Sequence, residues 1–246
     1  MIAWLEPGTA FPDVDSALRL PNGLLAASER LDAQRLLEAY PRGIFPWYAE
    51  GDPVLWWCPD PRMVLYTEEF HVSRSLRKGL LALARDERRE LRLDQDFEAV
   101  MRACAALRDG QAGTWIDEQI IAAYCDLARR DLAHSIELRR DGALIGGVYG
   151  VSLGRMFYGE SMFSAERGAS KFALATLVSI LRREAVPVID CQQKTAHLAS
   201  LGAREIGRRE FCAILARTVG QPAVDWQAYR GVRLNPMLLR LLSDRN

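Results

Sequence analysis

His134-Ser-Ile-Glu-Leu-Arg139, Ala143-Leu-Ile-Gly-Gly-Val-Tyr-Gly-Val-Ser152 and Arg155-Met-Phe-Tyr-Gly-Glu-Ser-Met-Phe163 decide the fold. Each run is rich in β-branched and aromatic residues and has the length of a strand. Asp141-Gly142 separates the first two and is a strong hairpin signal, since both residues accept the positive φ of a tight turn. Gly154 punctuates the second gap, so the three runs predict an antiparallel meander. Working outward, 169–183 reads as a helix, 186–192 as a short apolar strand, and 195–201 and 208–218 as further helical segments. Upstream, 73–85, 96–107 and 117–130 read as helices, the first capped at Ser73. The first sixty residues are rich in Pro, Gly and Trp and read as mostly loop. They hold one clear helix, 33–40, with Asp32 as N-cap and a stop near Pro41 and Gly43. Strands in a meander, a helix, then another strand predict an α+β protein with helices against a mostly antiparallel sheet. The change of texture at Met63 divides it into a small N-terminal domain, 1–62, and a larger domain, 63–246.

At 246 residues and 49% apolar composition the chain can bury a substantial core. Its 32 basic and 32 acidic side chains cancel, so any RNA contact must come from a local patch rather than a global field. The first twenty residues lack the basic and apolar regions of a signal peptide, and the longest apolar stretches are about half a membrane span. Five widely spaced cysteines, an odd number, read as reduced thiols in a cytoplasmic protein. The three histidines, His71, His134 and His197, lie too far apart in sequence for local zinc-ligand spacing. No metal is expected. There is no Walker-A loop, no strand–GxGxxG–helix unit and no GxSxG elbow. Ser75-Leu-Arg-Lys78 satisfies SxxK, but the companion motifs are missing. A sheet of this order is similar to that of the N-acetyltransferase superfamily. The glycine-rich turn that would hold acetyl-CoA's pyrophosphate is not found.

A set of collinear blocks is more specific than any of these. Pro21-Asn-Gly-Leu-Leu-Ala26, Ala39-Tyr-Pro-Arg-Gly-Ile-Phe-Pro-Trp47 and Leu55-Trp-Trp-Cys-Pro-Asp-Pro-Arg62 come first. His71-Val-Ser-Arg-Ser-Leu76, Gly113-Thr-Trp-Ile116, Ala133-His-Ser-Ile-Glu137 and Gly146-Gly-Val-Tyr-Gly150 continue the series. Gly159-Glu-Ser-Met-Phe-Ser164, Ala169-Ser-Lys171, Ile189-Asp-Cys-Gln192 and His197-Leu-Ala-Ser-Leu-Gly-Ala203 complete it. Over roughly residues 11 to 212 this pattern resembles the leucyl/phenylalanyl-tRNA–protein transferases. The resemblance implies a small N-terminal domain followed by an N-acetyltransferase-like (GNAT-like) domain. It implies transfer of Leu, Phe and less readily Met from aminoacyl-tRNA to proteins beginning with Arg or Lys, which marks them for degradation. The partners implied are charged tRNA and an acceptor protein, with no cofactor and no membrane.

The chemistry of such a reaction constrains which residues matter. An α-amino group, which ordinarily titrates near pH ~8, attacks an ester that is already activated, so positioning can supply most of the catalysis. Asp190 and Gln192, at i and i+2 of a strand, are expected side by side on one face with Cys191 turned away. The Gln192 carbonyl could accept a hydrogen bond from the attacking amine while Asp190 holds the amide or receives charge. By themselves the two residues would as readily satisfy backbone groups at a strand end, and the resemblance places the functional pair on them. Glu160 would bind the donor's α-ammonium by the same resemblance, where an ion pair with an arginine is the plainer reading. Val148, Phe157, Met162, Leu177 and Ile189 would form the pocket for the Leu or Phe side chain, and otherwise read as ordinary core. A pocket of Met and Leu suits differently shaped apolar donors. Taken alone, Trp47 and Trp115 read as packing a domain interface; the family pattern gives them contact with the terminal adenosine, with Tyr40 and Tyr124 nearby in role. Base–aromatic stacking is worth roughly 1–3 kcal/mol per base. Trp56 and Trp57 read as structural. Arg74, Arg77 and Lys78, with Arg85, Arg88 and Arg89, form the densest basic run, which is either a solvated helix face or an RNA-phosphate patch.

The chain departs from the family pattern at Ser28-Glu-Arg-Leu31, where two glycines are usual, and at Ala128, Asp131, Arg139, Cys58 and Gly168. None of these is a proposed site residue. Two other readings remain open on the sequence: a non-catalytic binder of tRNA or protein N-termini, and an acyl-CoA-dependent N-acyltransferase.

Overall fold

The computed structural model describes residues 2–49, 51–106 and 116–243. Its N-terminal segment forms β1 (Ala3–Leu5), β2 (Leu24–Ser28), α1 (Ala33–Ala39), β3 (Phe45–Pro46) and β4 (Val54–Trp57), with the strands paired in the order β1-β2-β4-β3. A loop-heavy segment was the expectation. Strands of two to five residues are too short to print an alternating pattern, and tryptophans hold them instead. Trp56 is fully buried and donates its indole N–H to Ser28 Oγ at 2.9 Å. Asp32 caps α1 as anticipated, accepting from the Arg35 amide at 2.8 Å.

The larger part begins with β5 (Arg62–Tyr66), α2 (Arg74–Ala84), β6 (Arg89–Leu93), α3 (Phe97–Ala106) and α4 (Glu118–Arg129). The meander follows as β7 (Ala133–Arg140), β8 (Ala143–Leu153) and β9 (Met156–Ser164). Then come α5 (Ala169–Arg183), β10 (Val188–Gln192), α6 (Ala196–Ala199), β11 (Arg204–Ile206), α7 (Arg208–Thr218) and α8 (Asn235–Ser243). The seven strands run in the order β11-β5-β10-β9-β8-β7-β6. Every adjacent pair is antiparallel except β9 and β10. That exception follows from chain order, since α5 carries the chain across a face of the sheet before β10 returns in the direction of β9. The α+β class and mostly antiparallel sheet match the expectation from sequence.

Helices cover both faces. Leu76 and Leu80 of α2, Ala173 and Leu177 of α5 and Leu238 of α8 pack on one side. On the other, α3, α4 and α7 share a continuous cluster with Leu25, Leu36, Tyr40 and Trp56 of the N-terminal segment. The small sheet therefore borrows its core from the large one. The chain leaves β4 at Trp57 and enters β5 of the large sheet at Arg62. Two departures from the family pattern fall on left-handed backbone: Asp131 (φ 61°), which stands for a glycine, and Gly168 (φ 84°). Asp131 gains a use there, accepting from Arg230 at 2.6 Å.

Candidate active site

β9 and β10 pair only through Phe157↔Ile189 and Tyr158↔Asp190. Immediately beyond, both strands become irregular. On β9, Gly159 lies opposite Gly150 but Ser161 lies opposite Tyr149, so Glu160 is an extra residue. On β10, Asp190 lies opposite Val64 but Gln192 lies opposite Met63, so Cys191 is extra. A bulge kinks its strand and re-aims side chains; two on neighbouring strands open the sheet. Gly150 allows the kink, because a Cβ there would collide with the Tyr158 carbonyl and the Phe157 ring. A cavity of about 470 Å³ fills the opening, walled by Val148, Met162, Leu177 and Ile189, with Glu160 and Gln192 as polar members.

Glu160 is held from three directions. Tyr40 donates to Oε1 at 2.6 Å, Tyr124 to Oε2 at 3.1 Å, and Gln192 Nε2 to Oε1 at 3.2 Å. The two tyrosine oxygens are themselves 2.5 Å apart. Every one of these partners is neutral. Burial therefore dominates and pushes the Glu160 carboxyl up to about 7, against the lowering effect of the two hydroxyls. Gln192 gives one amide N–H to Glu160, and its carbonyl oxygen is the side chain's acceptor.

Asp190 is a different kind of carboxylate. It is fully buried and takes two hydrogen bonds from the equally buried Arg62, Nε to Oδ1 at 2.8 Å and Nη2 to Oδ2 at 2.7 Å. Its Oδ1 also accepts the Gln192 backbone N–H at 2.9 Å. The expected side-by-side pair with Cys191 turned away is corrected here. The bulge at Cys191 and the left-handed Gln192 (φ 54°) break the two-residue alternation, so Cys191 and Gln192 line the cavity and Asp190 does not. Burial and the neighbouring Asp190 drive the Cys191 thiol far above the ordinary range, which disfavours the thiolate.

Residues 64–216 match the family described as leucyl/phenylalanyl-tRNA protein transferase, and residues 29–60 match that family's N-terminal domain. A leucyl/phenylalanyl-tRNA–protein transferase of Burkholderia ambifaria is 56% identical over 231 residues, covering 92% of this chain and 91% of that one. One from Bordetella avium is 54% identical, covering 92% of each. The chain belongs to the leucyl/phenylalanyl-tRNA–protein transferase family. Among solved structures, a GCN5-related N-acetyltransferase-like protein of Streptococcus suis is similar at 16% identity and a TM-score of 0.36, covering 74% of this chain and 67% of that one. A likeness that slight carries no argument.

Within this member of the transferase family, the other expected site residues divide. Trp47 lies at the cavity rim and is 42% exposed; Trp57 braces it, donating to its carbonyl at 2.6 Å with the rings 5.7 Å apart. Trp115 lies outside the described residues. Tyr40 and Tyr124 were expected near the adenosine, but both are fully buried and offer no ring face to a base. Their hydroxyls serve Glu160 instead. Phe157 was expected in the pocket; it is buried one residue short of the opening, packed toward Trp226 with centroids 6.0 Å apart. The basic run also divides. Arg74 and Lys78 are exposed on α2 and Arg85 at its C-cap, while Arg88 is paired with Asp141 and Arg89 with Asp86.

Arg62 escaped the sequence reading, where it stood only as the last residue of a recognised block. Nothing in a lone arginine after a proline announces a buried partner 128 residues away. His197 was likewise unassigned and lies on the cavity wall, where burial and Lys171 lower its pKa. Among the described residues no helix is long and apolar enough to cross a membrane.

Proposed function

We propose that the opening between β9 and β10 is where this family member transfers a leucyl or phenylalanyl group from tRNA to a protein N-terminus. The observation that carries the reading is the Gln192–Glu160 hydrogen bond at the polar side of a cavity whose wall is mostly apolar. The donor's side chain occupies the wall of Val148, Met162, Leu177 and Ile189. Its α-ammonium meets the Glu160 carboxylate, which Tyr40 and Tyr124 hold in place. A wall of flexible Met and Leu suits unlike side chains, and we extend the donors to Met on that ground. Trp47, braced and exposed at the rim, offers a face on which the terminal adenosine can stack.

The acceptor's amine then attacks the ester carbonyl carbon. A C–N bond forms, the C–O bond to the ribose breaks, and the amine's displaced proton ends on the ribose oxygen. The Gln192 carbonyl accepts an N–H of the incoming amine and aligns its lone pair. An activated ester and an amine need no nucleophile–base pair. We take the acceptors to be proteins beginning with Arg or Lys, the place of action to be the cytoplasm, and the consequence to be degradation of the tagged protein. Arg74 and Lys78, with Arg77 nearby, supply a local cationic stripe for tRNA phosphates in an otherwise neutral chain.

The test is direct. Purified protein is mixed with radiolabelled Leu-tRNA and a peptide beginning with Arg. Label moving into the peptide, and none moving from leucyl-CoA, is the expected result. Binding of tRNA without transfer would make the chain a binder, and leucyl-CoA serving as donor would replace the proposed substrate.

A further inference from the structure

Arg62 carries more consequence than a core ion pair requires. Its guanidinium lies over the Phe45 ring at 4.6 Å and the Phe211 ring at 4.7 Å, joining β3, β5 and α7 around one charge. Phe45 itself lines the cavity. Nε and Nη2 go to Asp190, and the buried Nη1 has no hydrogen-bond partner among the described residues. The two aromatic faces are what its charge meets there. Asp190 sits at the point where β9 and β10 stop pairing, and Arg62 reaches it from β5. Asp190 uses the oxygen that receives Arg62 Nε to receive the Gln192 N–H as well.

Gln192 needs that second bond. At φ 54° it occupies left-handed backbone that a glutamine without support leaves. This conformation directs its side chain to Glu160 and the cavity.

We propose that Arg62 and Asp190 are a positioning pair: together they pin the bulge of β10 and so aim Gln192, and neither touches substrate. Asp190 therefore acts through the backbone of Gln192 and not by receiving charge from the amine. The inference rests on the reading of Gln192 as the amine's acceptor.

A double-mutant cycle tests it. Transfer from Leu-tRNA to an Arg-initiated peptide is measured for the wild type, Arg62→Lys, Gln192→Ala and the double variant. A lysine keeps the charge but cannot make the paired bonds to Asp190. Arg62→Lys is expected to lose about 10²-fold in kcat, the effect of a small misplacement near reacting atoms. Its KM for Leu-tRNA is expected to stay within about 3-fold, as for a change felt only in the transition state. In the Gln192→Ala background the same substitution is expected to cost less than about 2-fold, because nothing is left to aim. Losses that multiply, or a wild-type kcat in Arg62→Lys, overturn the inference and leave the site reading intact. Wild-type turnover in Gln192→Ala overturns both. Should Arg62→Lys fail to fold, Arg62→Met combined with Asp190→Leu removes both buried charges together, a change folds tolerate. That protein is expected to fold and bind tRNA with kcat lowered as in Arg62→Lys; wild-type kcat would overturn the proposal.

Discussion

Glu160 and Asp190 lie on neighbouring strands a few residues from where those strands part, yet they are opposite solutions to burying a carboxylate. Asp190 meets a guanidinium edge-on, with two hydrogen bonds of 2.7–2.8 Å and two aromatic rings around its partner. Glu160 meets two hydroxyls and an amide, and its carboxyl is pushed up to about 7. A fully paired charge has no reason to exchange partners and serves as a fixture. A carboxylate without a cation, at the polar side of a mostly apolar cavity, is poised to accept one. The donor's α-ammonium is such a cation, and Lys194, the cation nearest Gln192 in sequence, is engaged with Glu205.

The comparison can be broken most forcefully on the stability side. Asp190→Ala leaves Arg62 charged, buried and unpaired, which costs about 3–5 kcal/mol; urea unfolding measures it. A loss below about 1 kcal/mol would mean that the pair is not a fixture. Gln192→Ala should lower kcat by about 10²-fold while the urea midpoint moves little, separating the aimed group from the one that aims it.

Glu160→Gln should behave in the opposite sense to Asp190→Ala. Because the folded-state pKa of Glu160 lies above the unfolded value, the folded protein holds this proton more tightly. Its contribution is therefore lost as pH rises from about 4.5 through about 7. Glu160→Gln is expected to match wild-type stability near pH 4 and to exceed it by about 3 kcal/mol at pH 8. Equal destabilisation at both pH values would show that the hydrogen bonds from Tyr40 and Tyr124 outweigh the desolvation.

Much of this was legible in the sequence. Asp141-Gly142 between two β-rich runs marked the meander, Asp32 caps α1 as expected, and Ser73 and Asp117 cap helices that begin one residue later than the ranges read from sequence. Val148, Met162 and Ile189 lie in the family blocks and, with Leu177, line the cavity. What sequence hid was irregularity. A bulge shifts side-chain parity without leaving any mark in composition, so the expected pairing of Asp190 with Gln192, and Cys191 turned away, went astray together. The clamp of Tyr40 and Tyr124 on Glu160 joins residues 120 and 36 positions apart, and no local pattern encodes such a meeting. β5, β6 and β11 were missed because strands of three to five residues carry too few alternations.

Two smaller effects sharpen the division between cavity and surface. Leu177→Phe narrows the donor wall and should lower transfer of Phe relative to Leu by about 10-fold, the scale on which apolar pockets discriminate; competition between the two charged tRNAs reads it. Reversing Arg74 and Lys78 to Glu should weaken tRNA binding and flatten its dependence on log salt by about 2. An unchanged slope would place the phosphates elsewhere.

The central claim is that Glu160 titrates against substrate while Asp190 is committed to the fold. The most direct measurement is the pH dependence of KM for Leu-tRNA at saturating peptide, in the wild type and in Glu160→Gln. KM is expected to fall as pH rises through about 7 in the wild type, as the carboxylate forms and meets the α-ammonium. The same limb is expected to be missing in Glu160→Gln. A Glu160→Gln protein that keeps the wild-type limb would contradict the account.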